Sequence, residues 1–250
     1  MAPQKENIEI TPYRPLCEAA QFPLGIERIC ATELTYDDFF HRFMKPNITV
    51  ILTSVADHWE CYRHWISPGT GGSDEIDINF LKQRIENVTV PVADCGEAIF
   101  VPSGWYHQVR NEEDTISVNH NWFNGCNITS IWLSLNEAFE NVVREIEDCK
   151  DMPDFDEHCQ VMLKASHGMN FEDFLDVLSY VCDKRASAYV NNGKLLQFQK
   201  YSLGRNHIRF DLEAIRNVLS LMTNSRDALD KLHLLIRIEN YIELINNLLV

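Results

Sequence analysis

Hydrophobic and polar positions follow one pattern in the first half of the chain and another in the second. Up to about residue 126, short runs rich in β-branched and aromatic residues alternate with Pro, Gly, Asn and Asp, which predicts strands joined by turns. A short helix with Thr35 as its N-cap and Asp38 three residues later precedes the strands and ends at Pro46. The predicted strands are 47–55, 88–92, 97–101, 105–110 and 115–122.

From residue 127 onward, apolar residues recur every three or four positions, which is the period of a helix with one buried face. Ile128, Trp132 and Leu135 begin such a face, and Asn127 is the expected N-cap of this helix. Further helices are predicted at about 154–165, 170–189, 211–222 and 225–249. Strands in the first half and helices in the second are typical of the α+β class.

These patterns divide the chain into three predicted parts. Residues 1–46 form an irregular lead-in, with four prolines among its first 24 residues, followed by the short helix. Residues 47–126 form a β domain, and residues 127–250 form a C-terminal helical region. Between residues 67 and 74 the sequence SPGTGGSD predicts a loop.

Composition places the chain among intracellular proteins. The first 15 residues contain no apolar segment typical of a signal peptide, and no run of about 18 apolar residues predicts a membrane span. The eight cysteines include no CxxC pair, so neither a zinc ribbon nor a disulfide framework is indicated. We therefore expect reduced thiols and a location in the cytoplasm, with the nucleus as the alternative.

The net charge of −15 argues against nucleic acid as a direct partner, because binding to phosphates needs basic patches. The same charge is compatible with a basic protein or peptide as a partner.

One segment carries the candidate chemistry. Residues 96–111 read GEAIFVPSGWYHQVRN, and residues 114–122 read DTISVNHNW. Together they resemble the last strands of the jumonji C (JmjC) domain, which occurs in oxygenases that depend on Fe(II) and 2-oxoglutarate. The helical stretch 152–185 resembles members of the same family, and residues 47–92 do so more loosely.

The resemblance implies a fold, a reaction and a site. The fold would be a double-stranded β-helix, the jelly roll of the cupins, followed by helices. The family holds iron with two histidines and one carboxylate, of which an HxD pair supplies two ligands. By the match, His107 is the distal histidine, and Asn119 and Asn121 lie near the co-substrate 2-oxoglutarate. The implied reaction is lysyl hydroxylation of a protein, with a translation release factor as the substrate.

The register of the predicted hairpin follows from this assignment. Asn119 and Asn121 share one face of a strand because they are two residues apart. For His107 to share that face, it must pair with Asn119, which leaves the three-residue loop 112–114. A loop with an even number of residues would turn His107 to the opposite face. The site therefore predicts an odd loop or a bulge.

The other half of the metal site is absent from the sequence. None of the nine histidines is followed two positions later by Asp, and only His58 and Glu60 fit the looser HxE form. Those two residues lie in a charged stretch that does not alternate like a strand, so we favour a surface role for them. No segment matches the strand that supplies the family's lysine for 2-oxoglutarate, and about five strands are predicted in place of eight.

The break can be located at Cys95–Gly96, where an early family segment joins a late one. The simplest hypothesis is an internal deletion, such as an exon-skipped splice variant or a faulty gene model. The fold expected is therefore a partial double-stranded β-helix with a C-terminal helical half. Activity is expected to be absent or weak, because one histidine does not hold Fe(II). Two alternatives stay open: a non-catalytic binding or regulatory protein, with dimerisation through the C-terminal helices, and an unstable fragment.

Overall fold

A computed structural model describes residues 6–11, 26–57, 66–68, 74–76, 96–105, 117–191, 197–198, 201–225, 228–229 and 232–250. The chain divides into two compact units. Residues 14–122 form one, called here the β unit. Residues 1–13 and 123–250 form the other, called here the helical unit. The predicted division at 46 and 126 is not tested by this partition and stays a prediction.

The β unit contains a three-stranded mixed sheet. Strand β2 (Glu27–Cys30) runs parallel to β3 (Val50–Thr53), and β3 pairs antiparallel with β6 (Ala98–Phe100). Val50 lies opposite Phe100 in the second pairing. The strands predicted at 47–55 and 97–101 thus have their centres in β3 and β6, whereas β2 had no clear sequence signal because its four residues include Glu27 and Arg28.

A second pair of strands lies where a loop was predicted. Strands β4 (Ile66–Pro68) and β5 (Asp74–Ile76) pair antiparallel. The prediction of a loop over all of 67–74 was wrong at its ends, since Ser67, Pro68 and Asp74 belong to the ladder; the residues between them lie outside the described part of the chain. The strand predicted at 88–92 lies outside the described residues.

The helix that enters the sheet has the predicted cap. Helix α1 (Tyr36–Phe39) begins after Thr35, whose hydroxyl accepts a hydrogen bond from the Asp38 backbone N–H at 3.1 Å. The helix continues as a π-helical turn, Phe40–Met44, and ends before Pro46. This turn buries Phe40 almost completely. The cap and the proline fix both ends of the helix, as the sequence predicted.

In the described part of the helical unit, five long helices pack together. The first, α2 (Ile128–Glu145), packs Trp132 against Phe171 and Phe174 of a later helix, with ring centroids 4.9 and 6.0 Å apart. Burial of such aromatic side chains contributes about 1.5–3 kcal/mol each. Asn127 occupies the predicted N-cap position, but its side chain accepts from the Asn124 N–H upstream at 2.9 Å and makes no bond to the helix.

The next two helices are joined by a tight connection. Helix α3 (Phe155–His167) ends at Gly168, whose φ of 80° is the left-handed conformation that glycine adopts at a helix end. Helix α4 (Phe171–Val190) starts with a capping box, in which Asn170 and Asp173 each accept the other's backbone N–H. Both helices lie close to their predicted bounds.

The fourth long helix, α5 (Arg205–Met222), begins six residues before the predicted start at residue 211. Its N-terminus is capped by a residue distant in sequence: the Glu9 carboxylate accepts the His207 N–H at 3.1 Å. A Cβ at Gly204 would overlap that carboxyl group, so glycine is required there for close approach. Because the cap comes from the other end of the chain, local sequence signals could not place this start.

The cap depends on a small sheet that joins the N-terminal segment to residues 197–203. Strand β1 (Glu6–Ile8) runs parallel to β8 (Tyr201–Leu203), which pairs antiparallel with β7 (Gln197–Phe198). The lead-in predicted as irregular therefore contains a strand. A three-residue strand surrounded by prolines gives no recognisable alternation in the sequence.

The last helix, α6 (Leu235–Leu249), starts ten residues after the predicted 225. The helical conformation is interrupted just before α6, because the backbone at His233 is left-handed, with φ of 57°. The Leu234 N–H donates to the Leu229 carbonyl at 2.9 Å, the six-to-one bond of a Schellman motif. Glycine is the usual residue at this left-handed position. Because histidine occupies it here, the interruption has no signal in the sequence.

The architecture as described has a small mixed sheet in one unit and mostly helices in the other, which is compatible with the predicted α+β class. None of the helices in the described part of the chain combines the length and apolar character that a membrane crossing requires.

Candidate functional site

The candidate site begins at the end of β6, on the turn that leads toward His107. The chain turns at residues 102–105, where the Trp105 N–H donates to the Pro102 carbonyl at 3.4 Å. Gly104 has φ of 78°. A Cβ there would meet no atom within 4 Å, so the left-handed backbone and not lack of space requires glycine at this position.

Asn47, three residues before β3, holds this turn through two hydrogen bonds. Its side-chain amide donates to the Ser103 carbonyl at 3.0 Å, and its own carbonyl accepts the Trp105 indole N–H at 3.1 Å. Asn47 is itself left-handed, with φ of 62°. We call this two-bond arrangement the Asn47 clamp. It fixes the backbone two residues before His107.

The sequence reasoning missed the Asn47 clamp, although one signal for it exists. Asn is among the few non-glycine residues that tolerate the left-handed conformation, and here it follows directly after the helix-ending Pro46. Pro46 and Asn47 together predict a turn in which the Asn47 side chain is available for a hydrogen bond to another part of the chain. The partner, Ser103, is 56 residues away and could not be identified without the fold.

Backbone hydrogen bonds and an ion pair hold the start of β6 in place. The Gly96 carbonyl accepts two N–H groups, from Val55 at 2.9 Å and from Ala56 at 3.2 Å. Next to it, Glu97 is mostly buried and forms an ion pair with Arg28 of β2, the strand on the far side of β3. Segment 96–105 is thus held at its start by Arg28 of β2 and by Val55 and Ala56, and at its end by Asn47.

Aromatic contacts bring the second part of the motif beside β6. The Phe100 ring lies 5.3 Å from the Trp122 ring and 5.1 Å from the Phe39 ring, measured between centroids. Trp122, the last residue of the motif, therefore lies next to β6.

The structure does not give residues 117–122 the predicted strand conformation. They have no regular secondary structure, and both Asn119 and Asn121 are exposed. The argument that these two side chains share a face assumed a strand, and that assumption was wrong for the described part of 115–122. A strand was expected from the alternation of Ile, Val and Trp with polar residues, but the alternation alone does not provide a pairing partner.

The remaining predicted ligands lie outside the described residues. These are His107, with the proposed hairpin loop 112–114, and the alternative pair His58 and Glu60. The assignment of His107, Asn119 and Asn121 to a site therefore stays a prediction.

The described residues do not by themselves fit an iron centre. Within the described ranges, no three His, Cys, Asp or Glu side chains come together in a way that could hold a metal ion. Two exposed asparagines supply only neutral amides, whereas Fe(II) in this class of site needs two imidazoles and a carboxylate.

Comparison with known proteins agrees with the resemblance read from the sequence. Residues 40–122 match the family model described as JmjC domain, hydroxylase. No solved structure matches the chain.

Among curated proteins, the chain is similar to the 2-oxoglutarate and iron-dependent oxygenase JMJD4 homolog of Drosophila melanogaster, with 46% identity over 129 residues, which is 52% of this chain and 30% of the relative. The JMJD4 oxygenase of Homo sapiens is 38% identical over 139 residues, or 54% and 32% of the two chains. The arginine-specific demethylase JMJ20 of Arabidopsis thaliana is 47% identical over 89 residues, or 35% and 19%. The matched part of the chain thus spans about a third or less of these relatives, which are longer proteins.

Proposed function

We propose that this chain is a shortened relative of the JmjC oxygenases that depend on 2-oxoglutarate and iron, with an incomplete metal site and absent or strongly impaired turnover. The observation that carries the proposal is the combination of a JmjC match over 40–122 with the lack of any HxD sequence in the chain. Two ligands of the family's site come from that pair, and a single histidine gives Fe(II) too few ligands for useful affinity.

The sheet β2–β3–β6 is, in this proposal, what is left of a double-stranded β-helix. An internal deletion would then have its junction between Cys95 and Gly96. Strand β6 is the first strand after that junction. A jelly roll without its central strands leaves sheet edges unpaired, which favours association or loss of the tertiary structure.

The inherited roles would fall to a few residues. His107 is the retained metal ligand, and Asn119 and Asn121 lie on the co-substrate side. In a complete site, iron and 2-oxoglutarate would activate dioxygen, which is the oxidant: one oxygen atom would go to the substrate carbon and the other to succinate, formed with CO2 from 2-oxoglutarate. The Asn47 clamp would hold the backbone before His107 in a fixed position whether or not a metal binds.

The substrate class of the complete enzymes is a protein, in our proposal a lysine of a translation release factor in the cytoplasm. The name of the Arabidopsis relative, an arginine-specific demethylase, supports a protein substrate in general. The net charge of −15 is compatible with a basic protein surface as the partner.

Anaerobic titration of the purified chain with Fe(II) and 2-oxoglutarate tests the proposal. Near-UV circular dichroism first establishes that the tertiary structure is present. We expect Fe(II) to bind no more tightly to the wild type than to His107→Ala. Micromolar Fe(II) binding that is lost in His107→Ala would contradict the proposal, and His58→Ala and Glu60→Gln would then identify the missing ligands. A full-length JMJD4 protein serves as the positive control.

A second candidate is a non-catalytic binding or regulatory protein built on the helical unit. The observation that favours it is that all five helices contribute to one buried cluster, so this unit has a core of its own. Several apolar side chains stay exposed on it, among them Tyr180 and Ile236. Light scattering across a concentration series tests whether the chain dimerises, and a constant monomer mass would argue against a dimer.

A further inference from the structure

Residues 6–10, called here the strap, lie outside the core of the helical unit. Strand β1 supplies the first three of them, and Glu9 and Ile10 follow. Among the described residues, Ile10 is only 4% exposed, yet it is not part of the buried cluster to which the five long helices contribute. Removal of the strap therefore leaves the contacts within that cluster in place.

Backbone pairing provides the first part of the contact that holds the strap. Strand β1 runs parallel to β8 over three residue pairs, and the Gly204 N–H, next along the chain, donates to the Ile8 carbonyl at 2.8 Å. Residues 201–207, which receive the strap, are called here the dock. Main-chain bonds of this kind form with any extended segment that reaches the edge of a strand, whichever chain supplies it.

Side chains make the contact selective for one kind of segment. The Glu9 carboxylate accepts the His207 N–H at 3.1 Å, and the Asn206 side-chain amide donates to the Ile10 carbonyl at 3.2 Å. The missing Cβ of Gly204 leaves the space that the carboxyl group occupies. The dock thus fits an extended segment in which a glutamate is followed by a large aliphatic residue.

Along the chain, the strap is far from its dock. Glu9 and His207 are 198 positions apart, and the whole β unit, residues 14–122, comes between the strap and the first helix of the helical unit. The effective concentration of a tethered segment at its site falls as the tether lengthens. A long tether therefore gives the contact within one chain a smaller advantage over the same contact from another molecule.

We propose that the dock binds the strap of a second copy of this chain, so that two copies exchange straps and form a closed dimer. Each copy then supplies the glutamate that caps α5 of the other copy. Exchange of an identical element creates no new kind of contact, and reciprocal exchange closes the assembly at two chains. The proposal does not rest on the oxygenase function, since strap and dock both belong to the helical unit.

Two full-length variants separate the strap from the dock. The strap variant, Glu9→Ala with Ile10→Ala, leaves the dock intact. The dock variant, Gly204→Asp, keeps the strap, but its Cβ takes the position of the Glu9 carboxyl group. The backbone at Gly204 has φ of −70° and ψ of 161°, an extended conformation open to any residue, and aspartate is a favourable N-cap. Helix α5 therefore keeps a capped start in the dock variant.

Light scattering over a concentration series measures the mass of each protein and of an equimolar mixture of the two variants. We expect the wild type to pass from monomer to dimer, and each variant alone to dimerise at least about ten-fold more weakly. The mixture should regain dimers, because the strap of the dock variant fits the dock of the strap variant. Native mass spectrometry with one variant isotope-labelled should show one labelled and one unlabelled chain in each dimer.

Amide NMR spectra of the isotope-labelled strap variant locate the contact. The backbone signals of Ser202 and His207, which belong to the dock, should return to their wild-type positions when the unlabelled dock variant is added. Addition of the unlabelled strap variant should leave them unchanged.

A matched control lies on the last helix. Glu243→Ala with Leu244→Ala removes a glutamate and a large aliphatic side chain from exposed positions on α6 and should leave dimerisation of the chain unchanged. This control also separates strap exchange from a dimer that forms through the exposed faces of the C-terminal helices.

Three results would overturn the proposal. One is a wild type that stays monomeric over the whole concentration series. Another is a dimer that persists in both the strap and dock variants or is lost in the α6 control, since another surface would then hold the two chains together. The third is a mixture of the variants that forms no mixed dimer, since the strap would then not bind to the dock of another copy.

Discussion

The helical unit and the β unit differ in how much of a core their described residues form. In the helical unit, buried residues from all five helices join into one cluster. In the β unit, the buried apolar side chains among the described residues come from the α1–π-helix segment and β3, namely Phe40, Phe43, Met44, Val50 and Ile51. The JmjC match lies entirely in the β unit. By our proposal, the β unit is the one that lost strands, and we expect the helical unit to provide most of the stability.

The largest effect is expected from Trp132→Ala. Trp132 is 2% exposed and contacts two phenylalanine rings of α4. Its truncation leaves a large cavity, so we expect the free energy of unfolding to fall by about 3–5 kcal/mol. Urea unfolding followed by circular dichroism at 222 nm measures this loss.

The neighbouring residue provides the control. Leu133 is 55% exposed on the same helix, and Leu133→Ala should change stability by no more than about 0.5 kcal/mol. Equal losses for both variants would mean that the core of the helical unit does not carry the stability assigned to it.

In the β unit, the Asn47 clamp should give the next largest effect. Asn47→Ala removes the bond to the Ser103 carbonyl and puts a less tolerant residue at φ of 62°, for an expected loss of about 1–2 kcal/mol. Asn47→Gly removes only the bond and should lose less. The Trp105 indole N–H signal in NMR spectra reports the clamp directly. An unchanged signal in both variants would contradict its role in holding the turn.

The sequence predicted those features whose signals are local. The Thr35 cap and the apolar face of α2 each depend on residues a few positions apart, and the structure contains both. Features that depend on distant partners were missed: Asn47 holds a turn 56 residues away, and Glu9 caps a helix almost 200 residues away. A strand was expected at 115–122 because alternation was visible, but strands also need a neighbour to pair with, and the described residues 117–122 are not in a strand.

The contact between the chain ends offers a test by double mutation. Glu9→Ala removes the cap of α5 and should lower stability by about 1 kcal/mol. Gly204→Ala should have a similar effect, because its Cβ displaces the same carboxylate. The two losses should therefore not add in the double variant, as thermal unfolding of the four proteins will show. Additive losses would mean that Gly204 is needed for a reason other than Glu9.

The smallest expected effect is a difference in thiol pKa between the cysteines of the two units. In the β unit, the hydrogen bond from Thr32 lowers the pKa of the Cys30 thiol. In the helical unit, the charge of Asp148 raises the pKa of Cys149, and burial raises the pKa of Cys182 to about 12. Since the thiolate is the reactive form, the pH midpoint of iodoacetamide labelling should be lower for Cys30 than for Cys149, with Cys182 unlabelled in the native chain.

Site-resolved mass spectrometry of the labelled protein gives these midpoints. Thr32→Val should move the Cys30 midpoint upward and leave that of Cys149 in place, because Thr32 bonds only to the first thiol. A Cys30 midpoint at or above that of Cys149 would contradict the assigned effect of the hydrogen bond.

The central claim, that the JmjC site is incomplete, is tested most directly by succinate formation from 2-oxoglutarate in the presence of Fe(II) and oxygen. Wild type, His107→Ala and a full-length JMJD4 protein would be assayed side by side, with and without a release-factor substrate. We predict that the wild type forms no more succinate than His107→Ala, while the full-length protein turns over. Succinate formation by the wild type that disappears in His107→Ala would show a working iron site and contradict the claim.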